Sequence, residues 1–208
     1  MEHKIIIVGI GPGDGEYIIP AATKAIASAK VLVGSCRALQ TFNSNAEKKQ
    51  SITGDIKSVM DFIRREHSTN DIVVMVSGDP GYYSLLDALR RVFGPADLLV
   101  IPGISSAQLA FARLALPWHD AKLLSLHGRK PKHEDFIYEK GAVLGILTDT
   151  TYTSWSISEM LLKTGWPENT MVYFCARLSY EDETIVQTTL ADAKNHKEFS
   201  HCIMVVIA

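Results

Sequence analysis

Two stretches of this chain, Lys-Ile-Ile-Ile-Val-Gly at residues 4–9 and Ile-Val-Val-Met-Val-Ser at 72–77, are apolar on consecutive residues and do not alternate. A strand with one face in water alternates polar and apolar positions, whereas an unbroken run of β-branched residues needs cover on both faces. Each run is strand-sized, far short of the roughly 20 residues of a bilayer-spanning helix. The pattern therefore predicts an α/β fold built on a parallel sheet with helices on either side. Shorter runs at 31–33 and 98–101 read as further strands of the same sheet.

Helical periodicity falls between these runs. Val59, Met60, Phe62 and Ile63 mark a helix over 58–67, and Leu85, Leu86, Leu89, Val92 and Phe93 mark one over 82–93, stopped by Gly94-Pro95. A third, over 105–116, ends at Pro117. Beyond Pro117-Trp118 the pattern restarts, with strands at 122–126, 142–148, 171–176, 184–188 and 202–208 and a helix at 153–164 closed by Gly165. The last three strands lie close together in sequence, which predicts a partly antiparallel second sheet. A domain boundary is expected near residue 118, giving an N-terminal α/β domain (1–118) with a mostly parallel sheet and a C-terminal α/β domain (119–208) with a mixed one. The polar segment 43–50 reads as a loop or a frayed helix end.

Composition narrows the function classes. With 208 residues, 47% hydrophobic and 21% charged, the chain has enough apolar material for a real core. A net charge of -2 gives no field to hold a polyanion, so nucleic acid is not an expected partner. The chain passes from Met1-Glu2-His3 directly into a strand, so no signal peptide is expected, and no membrane segment. The three cysteines, Cys36, Cys175 and Cys202, are scattered and odd in number, which points to free thiols in a reducing cytoplasm. His119, His127 and His133 lack a metal-ligand spacing, and His201 and Cys202 are strand neighbours facing opposite ways, so no metal site is expected.

Three strands of the first sheet are each followed by a glycine-bearing loop. Gly9-Ile10-Gly11-Pro12-Gly13-Asp14 departs from a dinucleotide fingerprint: Asp14 stands at its last glycine position, and residues 31–36 hold no acidic group for a ribose. In Ser77-Gly78-Asp79-Pro80-Gly81, Asp79 reads as a helix N-cap with Pro80 at the first helical position, and also as a carboxylate at the ligand-binding edge of the sheet. Pro102-Gly103-Ile104-Ser105-Ser106-Ala107 resembles a nucleophile elbow with Ala107 at its final glycine position. A serine hydrolase using Ser105, with His196 or His201 as base, is therefore one alternative. A non-catalytic tetrapyrrole- or nucleotide-binding protein is another. If the three strands run the same way, the three loops meet at one edge and suit a small adenosyl ligand.

Taken together and in order, these three motifs resemble those of the tetrapyrrole (corrin/porphyrin) methylases, over essentially the whole chain. Ser125-Leu126-His127-Gly128-Arg129 is similar to the branch that methylates C5 of a corrin precursor, cobalt-precorrin-7 or precorrin-6Y (the CbiE type), in cobalamin biosynthesis. The resemblance implies two α/β domains, a homodimer, and S-adenosylmethionine as methyl donor, leaving S-adenosylhomocysteine, in a cleft between the domains. It implies donor contacts at Pro12, Gly78, Asp79, Tyr82, Ser105 and Ser106, and at Thr148, Ala176, Arg177 and Thr189. Ile19 and Ser84 stand where the family often has Thr and Gly. Methylation of C15 with decarboxylation would belong to a separate, CbiT-type polypeptide. The ring carries several carboxylates, for which Arg129, Lys130, Arg113 and Arg177 are the candidate partners. Asp79 and His127 are the candidate bases for a proton lost during transfer.

Overall fold

The computed structural model describes residues 3–42 and 44–208. Met1, Glu2 and Asn43, on which the expected leaderless start and the first residue of the polar segment fall, lie outside the described residues. The chain divides into two compact units, Met1–Ser105 and Ser106–Ala208.

The first unit holds β1 (Ile5–Gly9), α1 (Pro20–Ala27), β2 (Val31–Gly34), α2 (Cys36–Thr41), β3 (Lys48–Ser51), α3 (Ile56–His67), β4 (Ile72–Val76), α4 (Leu86–Val92) and β5 (Leu98–Ile101). Its five strands form one sheet in the order β3-β2-β4-β1-β5, and every pairing is parallel. The unbroken apolar runs divide residue by residue between two cores. Ile5, Ile7, Val31, Val33, Ile72, Val74 and Val76 pack with Val59, Met60 and Ile63 of α3 and Leu89 of α4. Their neighbours Val8, Leu32, Val73 and Met75 pack with Ala22 and Ile26 of α1 and Ala38 of α2. Both faces are thus buried, as the lack of alternation requires.

Three local expectations are corrected. Within the polar segment 43–50, residues 48–50 belong to a strand: β3 (Lys48–Ser51) pairs parallel with β2 at the sheet edge. Its lysines are exposed, so it lacks the apolar signature of a central strand and carries the charges that protect an edge. The helix expected from 82 starts at Leu86, because residues 80–83 form turns, Tyr83 has φ 51° and Ser84 Oγ bonds the Pro80 carbonyl. The helix expected to reach 116 ends at Arg113: Ala115 takes φ 51°, and the Leu116 amide turns back to the Phe111 carbonyl at 3.0 Å, a left-handed helix stop made without glycine.

The second unit holds α5 (Ser106–Arg113), β6 (Lys122–Ser125), β7 (Val143–Leu147), α6 (Ser154–Lys163), β8 (Met171–Ala176), β9 (Thr184–Thr189) and β10 (Cys202–Ile207). The sheet order is β6-β7-β10-β8-β9, with β6–β7 parallel and the other pairs antiparallel. α5 packs on this sheet: a Cβ on Gly145 of β7 would come within 2.9 Å of the Phe111 ring, so the missing side chain makes room for the helix. This packing places the division between units at Ser105–Ser106, ahead of residue 118. Thr153 caps α6 by accepting from the Ser156 amide, and Gly165 closes it at φ 90°. Among the described residues no helix is long and apolar enough to cross a membrane.

Candidate functional site

Because β1, β4 and β5 are parallel, the loops leaving their carboxyl ends share one edge of the first sheet. There they interlock. The Gly78 amide donates to the Gly11 carbonyl at 2.8 Å and the Gly11 amide to the Gly78 carbonyl at 3.4 Å, joining the first two loops in a short antiparallel bridge. Asp79 joins the second loop to the third: one carboxylate oxygen accepts from the Gly81 amide at 2.7 Å, the other from the Gly103 amide at 2.9 Å. Asp79 is therefore not the helix cap expected of it; α4 begins beyond its reach, and its carboxylate ties two loops together.

The glycines serve this contact. A Cβ on Gly9 would lie 2.6 Å from the Gly78 carbonyl oxygen and 2.7 Å from Gly103 Cα, and one on Gly103 would overlap the same oxygen. At Gly78 the demand is conformational: φ is 68°, with an added Cβ 3.4 Å from Ser105 Cα. Pro12 follows the bridge, half-buried, and Ser105, buried at 5% exposure, precedes α5, in which Ser106 is the first residue.

Tyr82 stands just beyond Gly81. Its hydroxyl oxygen is buried and has no hydrogen-bond partner, and its ring packs edge-on to Tyr83 at 4.8 Å. Burial, followed by the neighbouring Tyr83, pushes its pKa well above the ordinary phenol range. A buried hydroxyl without a partner costs stability unless something else bonds it. Tyr82→Phe is therefore expected to leave the ligand-free protein as stable or up to about 1 kcal/mol more stable in chemical denaturation. The same change should weaken S-adenosylhomocysteine binding by about five- to tenfold in calorimetry. Equal affinity in the two proteins would remove the hydroxyl from the ligand contacts.

In the second unit, the carboxyl ends of β6, β7 and β8 lie at one edge, together with the start of β10, because Cys202 pairs with Ala176 and Ile203 with Leu147. That edge collects His127, Thr148, Ala176 and Arg177. The Thr148 hydroxyl accepts from the Cys202 amide at 2.8 Å and donates to its carbonyl at 3.2 Å, so it holds β7 to β10. His127, Gly128, Arg129 and Lys130 form an exposed turn, with Gly128 at φ 65°. The His127 ring stands 6.1 Å from that of His201, edge to face. Thr189 lies elsewhere. It pairs with Met171 at the opposite end of β9, about 17 Å along the strand from Ala176, and bonds Asp192. Arg113 is also engaged elsewhere, in a two-pronged contact with Glu183.

Two residues that sequence reasoning passed over organise this edge. Asp149 accepts from the amides of Gly128, Thr151 and Tyr152 at 3.0, 2.7 and 2.7 Å; these backbone bonds, with His127 nearby, lower its pKa. The Asp-Thr-Thr-Tyr string is a side-chain-closed turn whose signal was present in the sequence. Glu183 accepts from Arg113 and from the Ser179 amide at 2.7 Å, and the Arg113 guanidinium, with that amide, holds its carboxyl below the usual range. No local sequence signal announces this pairing, because Arg113 is 70 residues away.

Interlocked glycine loops at the carboxyl edge of a parallel sheet, followed by a mixed-sheet unit, define a protein of the two-unit α/β class. The model of the Tetrapyrrole (Corrin/Porphyrin) Methylases matches residues 4–194, and the chain belongs to that family. It is 32% identical to a probable cobalt-precorrin-7 C(5)-methyltransferase of Methanocaldococcus jannaschii, over 97% of this chain and 96% of that one. It is 30% identical to the cobalt-precorrin-7 C(5)-methyltransferase of Salmonella typhimurium, over 87% and 88%. The crystal structure of the cobalamin-biosynthesis precorrin-6Y methylase (cbiE) from Archaeoglobus fulgidus superposes with a TM-score of 0.74 at 25% identity, covering 99% of this chain and 97% of that one. Membership in a methylase family displaces the serine hydrolase reading of Ser105.

Proposed function

We propose that the protein transfers a methyl group from S-adenosylmethionine to C5 of a corrin-ring precursor, cobalt-precorrin-7 or precorrin-6Y, in cobalamin biosynthesis. The observation that carries this reading is the interlocked edge of the first sheet, where Gly78, Asp79 and the unpartnered Tyr82 hydroxyl offer a rigid cradle beside Pro12, Ser105 and Ser106. Thr148, Ala176 and Arg177, gathered at one edge of the second sheet, are the further donor contacts we propose; Thr189, at the opposite end of β9, is not among them. We further propose that the enzyme acts as a cytoplasmic homodimer, beside a separate CbiT-type polypeptide for C15.

The donor supplies an electrophilic methyl, which forms a bond to the ring carbon as its bond to sulfur breaks and the electron pair stays on sulfur. The protein's own part is to hold the reacting atoms in line and exclude water. Asp79 has both oxygens bonded to backbone amides, which suits an anchor rather than a base. His127, exposed at the edge of the second sheet, is the better proton acceptor. Incubation with S-adenosylmethionine and a panel of ring precursors, read by mass spectrometry, tests the reading. Expected are S-adenosylhomocysteine and a ring one methyl heavier, with the new methyl at C5. Failure to turn over any ring, or methylation at another carbon, would overturn it.

Arg129 and Lys130 are the proposed partners of the ring carboxylates. A charge-assisted contact contributes about 1.5–3 kcal/mol, so Arg129→Ala should raise KM for the ring by about ten- to a hundredfold. Affinity for S-adenosylhomocysteine should stay within about twofold of wild type, since Arg129 is assigned to the ring and not to the donor. Steady-state kinetics against the ring, paired with calorimetry, checks both numbers.

A further inference from the structure

We infer that Glu183, gripped by Arg113, is a positioning residue that latches the turn between β8 and β9 and so sets Ala176 and Arg177 for the methyl donor. This rests on the donor site proposed above. The turn is unusual because Arg177 has φ 55° and Ser179 φ 71°, two left-handed residues of which neither is glycine. L side chains avoid this region, so two such residues in one turn persist only if surrounding contacts hold them.

The contacts converge on one carboxylate. Glu183 accepts from the Ser179 amide at 2.7 Å, fixing the second left-handed residue directly. Its oxygens also receive Arg113 Nε at 2.6 Å and Nη2 at 3.3 Å. A forked arginine fixes direction as well as distance. Arg113 closes α5, and that helix is seated on β7 where Phe111 fills the space above Gly145. The turn is thus referenced to the body of the sheet, not only to its own strands. Arg177 is steadied within the turn, with its Nε 3.0 Å from both Asp182 oxygens and its guanidinium 4.3 Å over the Tyr180 ring. Without the Glu183 carboxylate, the Ser179 amide loses this acceptor and the turn loses its tie to Arg113. The turn can then relax toward extended backbone and carry Arg177 with it.

Two measurements test this, and they separate the latch from the function proposed above. Amide hydrogen exchange over 177–183 in ligand-free protein reads the latch itself: Glu183→Ala should exchange at least about tenfold faster there, with the sheet strands unchanged. Titration with S-adenosylhomocysteine reads the consequence. Affinity should fall by about tenfold or more in Glu183→Ala, while kcat at saturating donor changes by less than about threefold. Adding Ser179→Gly, which accepts the left-handed conformation freely, should recover part of that affinity. If Glu183→Ala does not fold, Glu183→Gln keeps the shape and loses the charge, and should bind at least about threefold more weakly. Unchanged exchange over 177–183, or wild-type affinity in the folded variant, would overturn the latch. A wild-type protein that fails to bind S-adenosylhomocysteine would overturn the donor site instead, while the exchange result still decides the latch.

Discussion

Gly103→Ala is expected to lose about 3 kcal/mol or more of stability and to abolish donor binding, although alanine is the smallest possible change. The new methyl would point into backbone: the Gly78 carbonyl oxygen, and Gly9 Cα at 2.8 Å and its carbonyl carbon at 2.9 Å. A flexible side chain could rotate away, but three strand ends held by ladder hydrogen bonds cannot. Relief would require parting the loops that form the cradle, so stability and binding should fall together. Gly128→Ala is the control. Its added Cβ meets nothing within 4 Å, and its cost is confined to the left-handed backbone at φ 65°. Denaturant titration of the two variants should place Gly103→Ala far below Gly128→Ala; similar midpoints would mean that the loops are not in register as described.

Asp79→Ala should be the most damaging side-chain truncation at this edge for turnover. It leaves the buried Gly103 amide without an acceptor, a loss of about 1–3 kcal/mol. It also frees the third loop from the second, and a shift near 1 Å in a reacting group can lower rates about a hundredfold. Asp79→Asn keeps one acceptor oxygen but turns its carboxamide NH2 toward the other backbone donor, so it should fall between wild type and alanine in both stability and kcat. Single-turnover methyl transfer and thermal denaturation, measured on the same preparations, give the two orders. An asparagine variant that recovers stability but not kcat would assign the carboxylate a role in the chemistry beyond tying the loops.

The sequence made the sheets legible because burial on two faces writes itself into composition. The run Ile72–Val76 is buried at every residue, and no pattern other than unbroken apolarity satisfies that. The second sheet was equally readable in Met171–Ala176 and Cys202–Ile207, which the cores confirm. What escaped was set by edges and by distance. Lys48–Ser51 forms a strand through its partner and not through its own side chains. α1 and α2 are short and were not separated from the loops around them, although Pro20 at the first helical position was a usable sign. The glycine motifs do bring three loops to one edge of the first sheet, but the work of Gly9 and Gly103 is to pack against other backbone. That could be known only once three loops distant in sequence were set side by side. The engagement of Arg113 by Glu183 was hidden for the same reason.

The position of β10 has a bearing on how the chain reaches this state. Cys202–Ile207 lies between β7 and β8 and gives hydrogen bonds to both. Until this segment arrives, β6–β7 and β8–β9 are two separate ribbons, each with an open edge that is apolar at Leu144, Ile146, Val172 and Phe174. Open apolar edges are templates for pairing with the wrong chain. The closing contacts span wide sequence separations, Ile203 with Leu147 and Val205 with Gly145, so their loop-closure entropy must be met before any ladder forms. The unit that carries His127 and Arg129 is therefore completed by a keystone strand that follows both of its neighbours in the chain. Before its insertion, two apolar edges stand open to self-association.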